Sequence, residues 1–213
     1  MSVGEGLDLI GLELPDAAVG LLGRFADLLL ARAVPLGMIG RDDAGRIVPR
    51  HVIDSLRPTR LIGARGGLDV VDVGSGAGLP GIPLAIALPE ARFVLAEPRA
   101  KRAAFLELAV EQLGLANVRV HPSRAETLQG GRFTSATARA FATLDSTWSV
   151  VNPLLGPGGI LVAFAGARER PPADLPGAEG LEVVRDPLDP AESPSSRAHL
   201  LATDGSLVII TAK

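Results

Sequence analysis

Leu68-Asp69-Val70-Val71-Asp72-Val73 runs directly into Gly74-Ser75-Gly76-Ala77-Gly78-Leu79-Pro80-Gly81, and that junction decides the fold. The first six residues are rich in β-branched side chains and read as a strand. The glycines behind them allow a tight turn whose backbone N–H groups can approach a ligand closely, without Cβ clashes or the penalty on positive φ. A helical stretch to Leu88 follows, so the unit is strand, glycine turn, helix.

The same alternation continues downstream. Arg92 to Glu97 reads as a second strand, and Pro98 introduces a helix to about Gly114 with Ala103, Leu106, Val110 and Leu113 as its buried stripe. Val118 to His121 is a third strand and Ser135 to Ala140 a weaker fourth. Leu144 to Leu155 reads as helical. Pro157-Gly158-Gly159 then turns into the strand Ile160 to Phe164. Strands and helices at this spacing predict an α/β fold, a parallel sheet with right-handed crossovers. Ala165 to Gly180 is rich in Arg, Pro and Gly and reads as a loop. Leu181 to Arg185 and Leu207 to Thr211 are strand-like with no helix of crossover length between them, which predicts an antiparallel pair closing the sheet.

Upstream, the character is helical. Asp16 is the expected N-cap of a helix carrying Val19, Leu22, Ala26, Leu29 and Ala33 on one face, closed by Pro35. Gly37 to Gly45 is turn-like, and Ile47 to Leu56 reads as a second helix ended before Pro58. The expected organisation is an N-terminal helical extension over residues 1–67 and a Rossmann-like domain over 68–213.

Composition removes several chemistries from the 213 residues. There are no cysteines, which excludes disulfides, Cys-ligated metal and thiol nucleophiles, and no metal is expected. Of 21 basic residues only Lys101 and Lys213 are lysines, leaving little for Schiff-base chemistry. A net charge of −3 argues against a generally basic surface but not a local one. Tyr is absent, and six Phe with Trp148 supply all the aromatics, a poor base-stacking platform. The first residues lack the basic-then-apolar layout of a signal peptide. Arg24, Asp27, Arg32 and Pro35 interrupt the longest apolar stretch, so a cytoplasmic protein with no membrane span is expected.

Two ligands compete for the glycine turn. Gly76-Ala77-Gly78-Leu79-Pro80-Gly81 matches the dinucleotide pattern G-x-G-x-x-G, although it starts three residues beyond the strand. The register from Gly74 reads G-x-G-x-G, with Gly74, Gly76 and Gly78 preceded by Asp72. A carboxylate beside the turn suits a cationic amino-acid group better than a pyrophosphate, which favours S-adenosylmethionine over NAD. Glu97, at the end of the second strand, can accept both hydroxyls of a ribose in either case.

With Arg50-His51-Val52-Ile53-Asp54-Ser55-Leu56 and the continuation Leu79-Pro80-Gly81-Ile82-Pro83-Leu84, the chain resembles the RsmG (glucose-inhibited division protein B) family. Lys101-Arg102 with Phe105-Leu106, Ser123-Arg124-Ala125-Glu126 and Arg139-Ala140-Phe141-Ala142 extend the likeness over roughly residues 20 to 165. The resemblance implies a class I S-adenosylmethionine-dependent methyltransferase with a seven-stranded, mostly parallel Rossmann-like sheet. It further implies methylation of guanine N7 in 16S ribosomal RNA, with that RNA or the small ribosomal subunit as partner; the oligomeric state is unknown, a monomer being favoured. It places cofactor contacts on Gly74, Leu79, Ala125, Glu126 and Arg139, beside Asp72, Gly76, Gly78 and Glu97. Arg124 and Arg50 are the candidate RNA contacts, and Arg139 and His51 the candidates for a direct catalytic role. His51 and Asp54 are three apart and share a helix face, which permits a general base with its orienting carboxylate. Methylation of N7 removes no proton, however, so packing of Arg50 to Leu56 against the glycine turn is the favoured reading.

Two cations of the family pattern are missing. Ala165 stands where the fifth strand would end in Lys, and Asp204-Gly205-Ser206 where an Arg would precede the last strand. Their loss would flatten the salt dependence of RNA binding by about two units of slope, unless Arg168, Arg170 or Arg197 substitutes. The alternative function is a diverged cofactor-binding paralogue with another methyl acceptor or a non-catalytic role.

Overall fold

The computed structural model describes residues 1–65, 69–165, 175–184 and 206–213. Among these lies a seven-stranded sheet in the order β3-β2-β1-β4-β5-β7-β6. The strands are β1 (Asp69–Val73), β2 (Arg92–Ala96), β3 (Val118–His121), β4 (Phe133–Arg139), β5 (Leu155–Ala165), β6 (Ala178–Val184) and β7 (Ser206–Ala212). The first five pair in parallel, and β7 runs antiparallel to both β5 and β6. Strand order reverses between β1 and β4. At such a switch point the connections leave in opposite directions and open a crevice at the carboxyl ends of the strands.

β1 shows why the parity of its residues matters. Alternate side chains point to opposite faces of a sheet. Val71 and Val73 join a core with Ala136, Leu144, Trp148 and Leu161 on the face covered by α6 (Leu144–Val151). Val70 points the other way, into a core with Leu84 of α4 (Gly81–Ala87). Asp72 shares the parity of Val70 and so lies on the α4 face, a polar residue in an apolar row.

The N-terminal helices are α1 (Val3–Leu9), α2 (Asp16–Leu28) and α3 (Thr59–Gly63); α2 continues as a wide turn over Leu29–Ala33, and a second wide-turned helix spans Ile47–Ile53. Ser2 and Glu5 form a reciprocal capping box at the start of α1. The N-cap of α2 is Pro15, not Asp16. Asp16 instead occupies the first helical turn, where its charge favours the positive end of the helix. Leu22, Phe25 and Leu29 are fully buried in one cluster with Ile82, Ile86, Leu106 and Ala109, while Val19 is only half-buried. The helical extension and the sheet domain therefore share a continuous core through α4 and α5 (Ala100–Leu113).

Other differences follow from local chemistry. Residues Arg41–Arg46, expected as a turn, form a 3₁₀ segment. α6 ends at Val151 because Asn152-Pro153-Leu154 tightens into a 3₁₀ turn, and β5 begins at Leu155, five residues earlier than expected. The boundary expected at 67/68, Arg168, Arg170, Arg197 and Gly205 lie outside the described residues. No helix among the described residues is long and apolar enough to cross a membrane.

Candidate functional site

The glycine turn leaves β1 with Gly74, Gly76 and Gly78 all at positive φ (71°, 57° and 84°), a conformation that costs other residues energy. Ala96 anchors its start by accepting from the N–H groups of Gly74 (2.9 Å) and Ser75 (3.2 Å). Gly78 must also lack a Cβ, which would lie 2.5 Å from Ile82 Cδ1. Leu79, beside it, is buried in the α2–α4–α5 core, which holds the turn against the helices.

Glu97 closes the turn from the β2 side. Its Oε2 accepts the Gly76 N–H at 3.0 Å and its Oε1 the Arg99 N–H at 2.9 Å. Arg102 Nη1 stands 3.9 Å from Oε2. Each carboxylate oxygen keeps one lone pair, an acceptor pair suited to two vicinal hydroxyls. Glu97 is itself buried, and Gly76 is half-exposed, with a Cβ there placed 3.7 Å from the Gly74 carbonyl oxygen and 3.9 Å from Arg102 Nη1.

Asp72 does not face the crevice. Its carboxylate is wholly buried beneath the first turn of α4, where Oδ1 accepts from Thr137 Oγ1 at 2.8 Å and Oδ2 has no hydrogen-bond donor. Burial pushes its pKa up to about 6, against the hydrogen bonds that favour the charged form. Direct contact with a ligand's ammonium group is therefore not what this position offers. Asp72 supports the turn from below. A Cβ on Gly81 would stand 2.8 Å from Asp72 Oδ2, which shows how closely α4 lies on β1. The parity of Asp72 with Val70 is the signal that places it there, and Thr137 is its direct cross-strand partner.

On the β4 side, Arg139 is the last residue of the strand. It turns back onto the Ile47–Ile53 helix, donating to the Arg50 carbonyl (3.0 Å) and reaching Ser55 Oγ and His51 Nδ1 (both 3.4 Å). Asp54 Oδ2 lies 3.4 Å from its Nη1, and Asp54 Oδ1 is 3.0 Å from Arg57 Nη1. Burial pulls the Arg139 guanidinium below its ordinary range, opposed by Asp54. Its Cζ lies 5.8 Å from the centre of the Phe164 ring. Arg139 thus ties the helical extension to the carboxyl end of the sheet, an ion pair at the sheet rim.

His51 and Asp54 do not form a base and its orienter. The carboxylate at His51 is that of Asp43, with Oδ2 3.5 Å from Nε2, while Asp54 serves Arg57 and Arg139. Burial, with Arg139 adding to it, lowers the His51 pKa to about 4, so the imidazole is neutral near pH 7. The side chain of Arg50 lies half-exposed, 3.5 Å from Asp43 Oδ1. Ala125 and Glu126 lie in the 3₁₀ turn Ala125–Thr127 after β3, the first buried and the second exposed, and Arg124 before them is exposed. Ala165 ends β5 buried.

A family model described as rRNA small subunit methyltransferase G, GidB, matches residues 19–173. The chain belongs to the GidB family. Among curated relatives of this GidB chain, a Ribosomal RNA small subunit methyltransferase G from Frankia alni is 42% identical over 72% of the chain and 63% of the relative. One from Salinispora arenicola is 45% identical over 73% of the chain and 69% of the relative. The chain thus covers about three fifths of the length of the first of these. Among solved structures, a mutant of MtNAS in complex with S-adenosylmethionine superimposes with a TM-score of 0.60 at 17% identity, over 91% of the chain and 73% of that structure. A SAM-dependent O-methyltransferase from Thermotoga maritima gives 0.51 at 17% identity, over 75% and 64%. At these identities the likeness is one of fold, the class I methyltransferase fold. The sequence points to the family through stretches that include Ser55 and Phe141, but it assigns those two no role and gives no sign of Asp43 or Thr137, whose contacts arise only when distant elements meet.

Proposed function

We propose that this chain is an S-adenosylmethionine-dependent methyltransferase acting on N7 of a guanine in 16S ribosomal RNA. The observation that carries the reading is the union of three left-handed glycines with Glu97, whose carboxylate holds the Gly76 N–H at the carboxyl end of β1 and β2. The half-exposed Gly76 and the spare acceptor sites of Glu97 fit the cofactor. Gly74, Gly76 and Gly78 would hold its amino-acid end, Glu97 its ribose, and Leu79, Ala125 and Glu126 the region beyond. When bound, the cofactor supplies a methyl group on a sulfonium, which an in-plane lone pair can attack.

The protein's part is positioning and exclusion of water. N7 already carries its lone pair and loses no proton on methylation, so no general base is required. His51, neutral and held between Arg139 and Asp43, orients Arg139 and does not shuttle protons. Arg139 fixes the extension across the crevice, and Arg124 and Arg50 are the cations placed for RNA phosphates. In this reading residues 1–67 act as an extension that roofs the 68–213 domain, and the protein works as a cytoplasmic monomer.

Isothermal titration is expected to give S-adenosylmethionine binding in the micromolar range; binding of NAD instead would overturn the cofactor. Mass mapping of ribosomal RNA from a deletion strain is expected to reveal one guanine lacking its N7 methyl group. A fully methylated 16S RNA in that strain would overturn the substrate.

A further inference from the structure

All seven aromatic side chains fall within the described residues. Phe25, Phe93, Phe105, Phe133 and Trp148 are buried and Phe164 is half-buried; only Phe141 is exposed, at 37%. Its place is specific. It follows Arg139 and Ala140 at the carboxyl end of β4, and its ring lies against the glycine turn, with Cδ2 2.5 Å from where a Gly74 Cβ would stand. Ala140 holds φ at 49°, an unfavourable value for a residue with a Cβ. The chain thus keeps a strained residue beside its one exposed ring. Ala138, Thr147, Ala163, Phe164 and Ala165 line a small hollow next to the ring.

Phe141 owes nothing of its exposure to the core. An exposed ring at the strand-end crevice matches what a nucleobase taken out of its stack needs: a planar apolar face at the reacting end of the site. We propose that Phe141 is the stacking platform for the acceptor base, a substrate-contacting residue that sets selection for a purine in the crevice. This rests on the methyltransferase reading above and deepens it. Because Phe141 is packed on Gly74, a base stacked on its ring would be fixed relative to the glycine turn. Arg139, bonded to Arg50, His51 and Asp54, holds the root of the same loop in place.

The test uses the full chain with S-adenosylmethionine and small ribosomal subunits lacking the modification. F141A is expected to lower kcat/KM for methylation ten- to a hundredfold, while F141W retains at least a third of the wild-type value. Cofactor affinity, by calorimetry, is expected to change less than threefold in both. F141W adds an exposed indole to a chain whose Trp148 is buried, so guanosine monophosphate is expected to quench its fluorescence more strongly than cytidine monophosphate does. Wild-type kcat/KM in F141A, a tenfold loss of cofactor affinity, or equal quenching by both nucleotides would each overturn the platform, with the methyltransferase reading intact. A wild-type chain that binds the cofactor but methylates no RNA would overturn both. Should F141A fail to fold, the quenching of F141W decides alone.

Discussion

Asp72 and His51 are buried ionisable side chains that burial moves in opposite directions. Asp72 rises from 3.8 to about 6. The native state therefore binds its proton more tightly than the unfolded chain, and the stability it contributes, full below about pH 4, is lost as pH rises through about 6. His51 falls from 6.5 to about 4, so the native state resists its protonation. Its contribution is full above about pH 6.5 and is lost as pH falls through about 4. Each shift is worth about 3 kcal/mol, and the two oppose each other between pH 4 and 6. Denaturant unfolding across that interval is expected to show D72N gaining about 3 kcal/mol more than wild type as pH rises. H51Q is expected to lose about as much relative to wild type over the same rise. Parallel pH profiles for all three proteins would contradict both assignments.

At the scale of elements, two contacts set the shape of the crevice. α4 lies on β1 and β2 so closely that a Cβ on Gly81 would collide with Leu95 and stand 2.8 Å from Asp72 Oδ2. The leucine end can move, but the buried carboxylate cannot. G81A is therefore expected to cost roughly 2 kcal/mol in urea unfolding, where a simple gain in helix propensity would have stabilised the helix by up to about 1 kcal/mol. The second contact is the Ile47–Ile53 helix on β4. Asp54 is the shared anion of Arg57 and Arg139, all three largely buried. D54N keeps the shape and removes the charge that Arg57 and Arg139 share, and is expected to lower stability by roughly 3 kcal/mol. An unchanged melting temperature in D54N would show that Arg139 is held by Arg50, Ser55 and His51 without it.

Across the whole molecule, the helical extension is inseparable from the sheet. Phe25, Leu22 and Leu29 fill one cluster with Ile82, Ile86 and Leu106, so removing α1 and α2 would expose the outer faces of α4 and α5 together. A fragment beginning at residue 69 is expected to keep secondary structure but lose fixed packing, seen as a lost near-ultraviolet circular dichroism signal and poorly dispersed amide resonances. A well-dispersed spectrum from that fragment would show the sheet domain to be autonomous. The same scale frames the charge balance. With Ala165 in place of a family cation and a net charge of −3, RNA affinity rests on Arg124 and Arg50, and its salt dependence is correspondingly shallow in the proposed reading.

What the sequence determined by itself is local or periodic: the alternation of strands and helices, the glycine turn, the closing antiparallel pair, and a family likeness carried by contiguous residues such as Leu79 to Leu84. These depend on neighbours within a few positions, where propensity, parity and turn chemistry act directly. Tertiary structure decided the rest. Asp72 was legible as an acidic residue beside the turn, but its burial under Gly81 and its bond to Thr137, 65 residues away, depend on a helix and a strand brought together by the fold. His51 and Asp54 were legible as a pair on one helix face, yet Asp43 and Arg139 drew them to different partners. Phe141 was one Phe among six until packing buried or half-buried the others and left this ring at the crevice. A side chain's charge state and partner are fixed by desolvation and by groups distant in sequence. That is why the chain spelled out its fold and family, while the roles within its crevice waited on the packing.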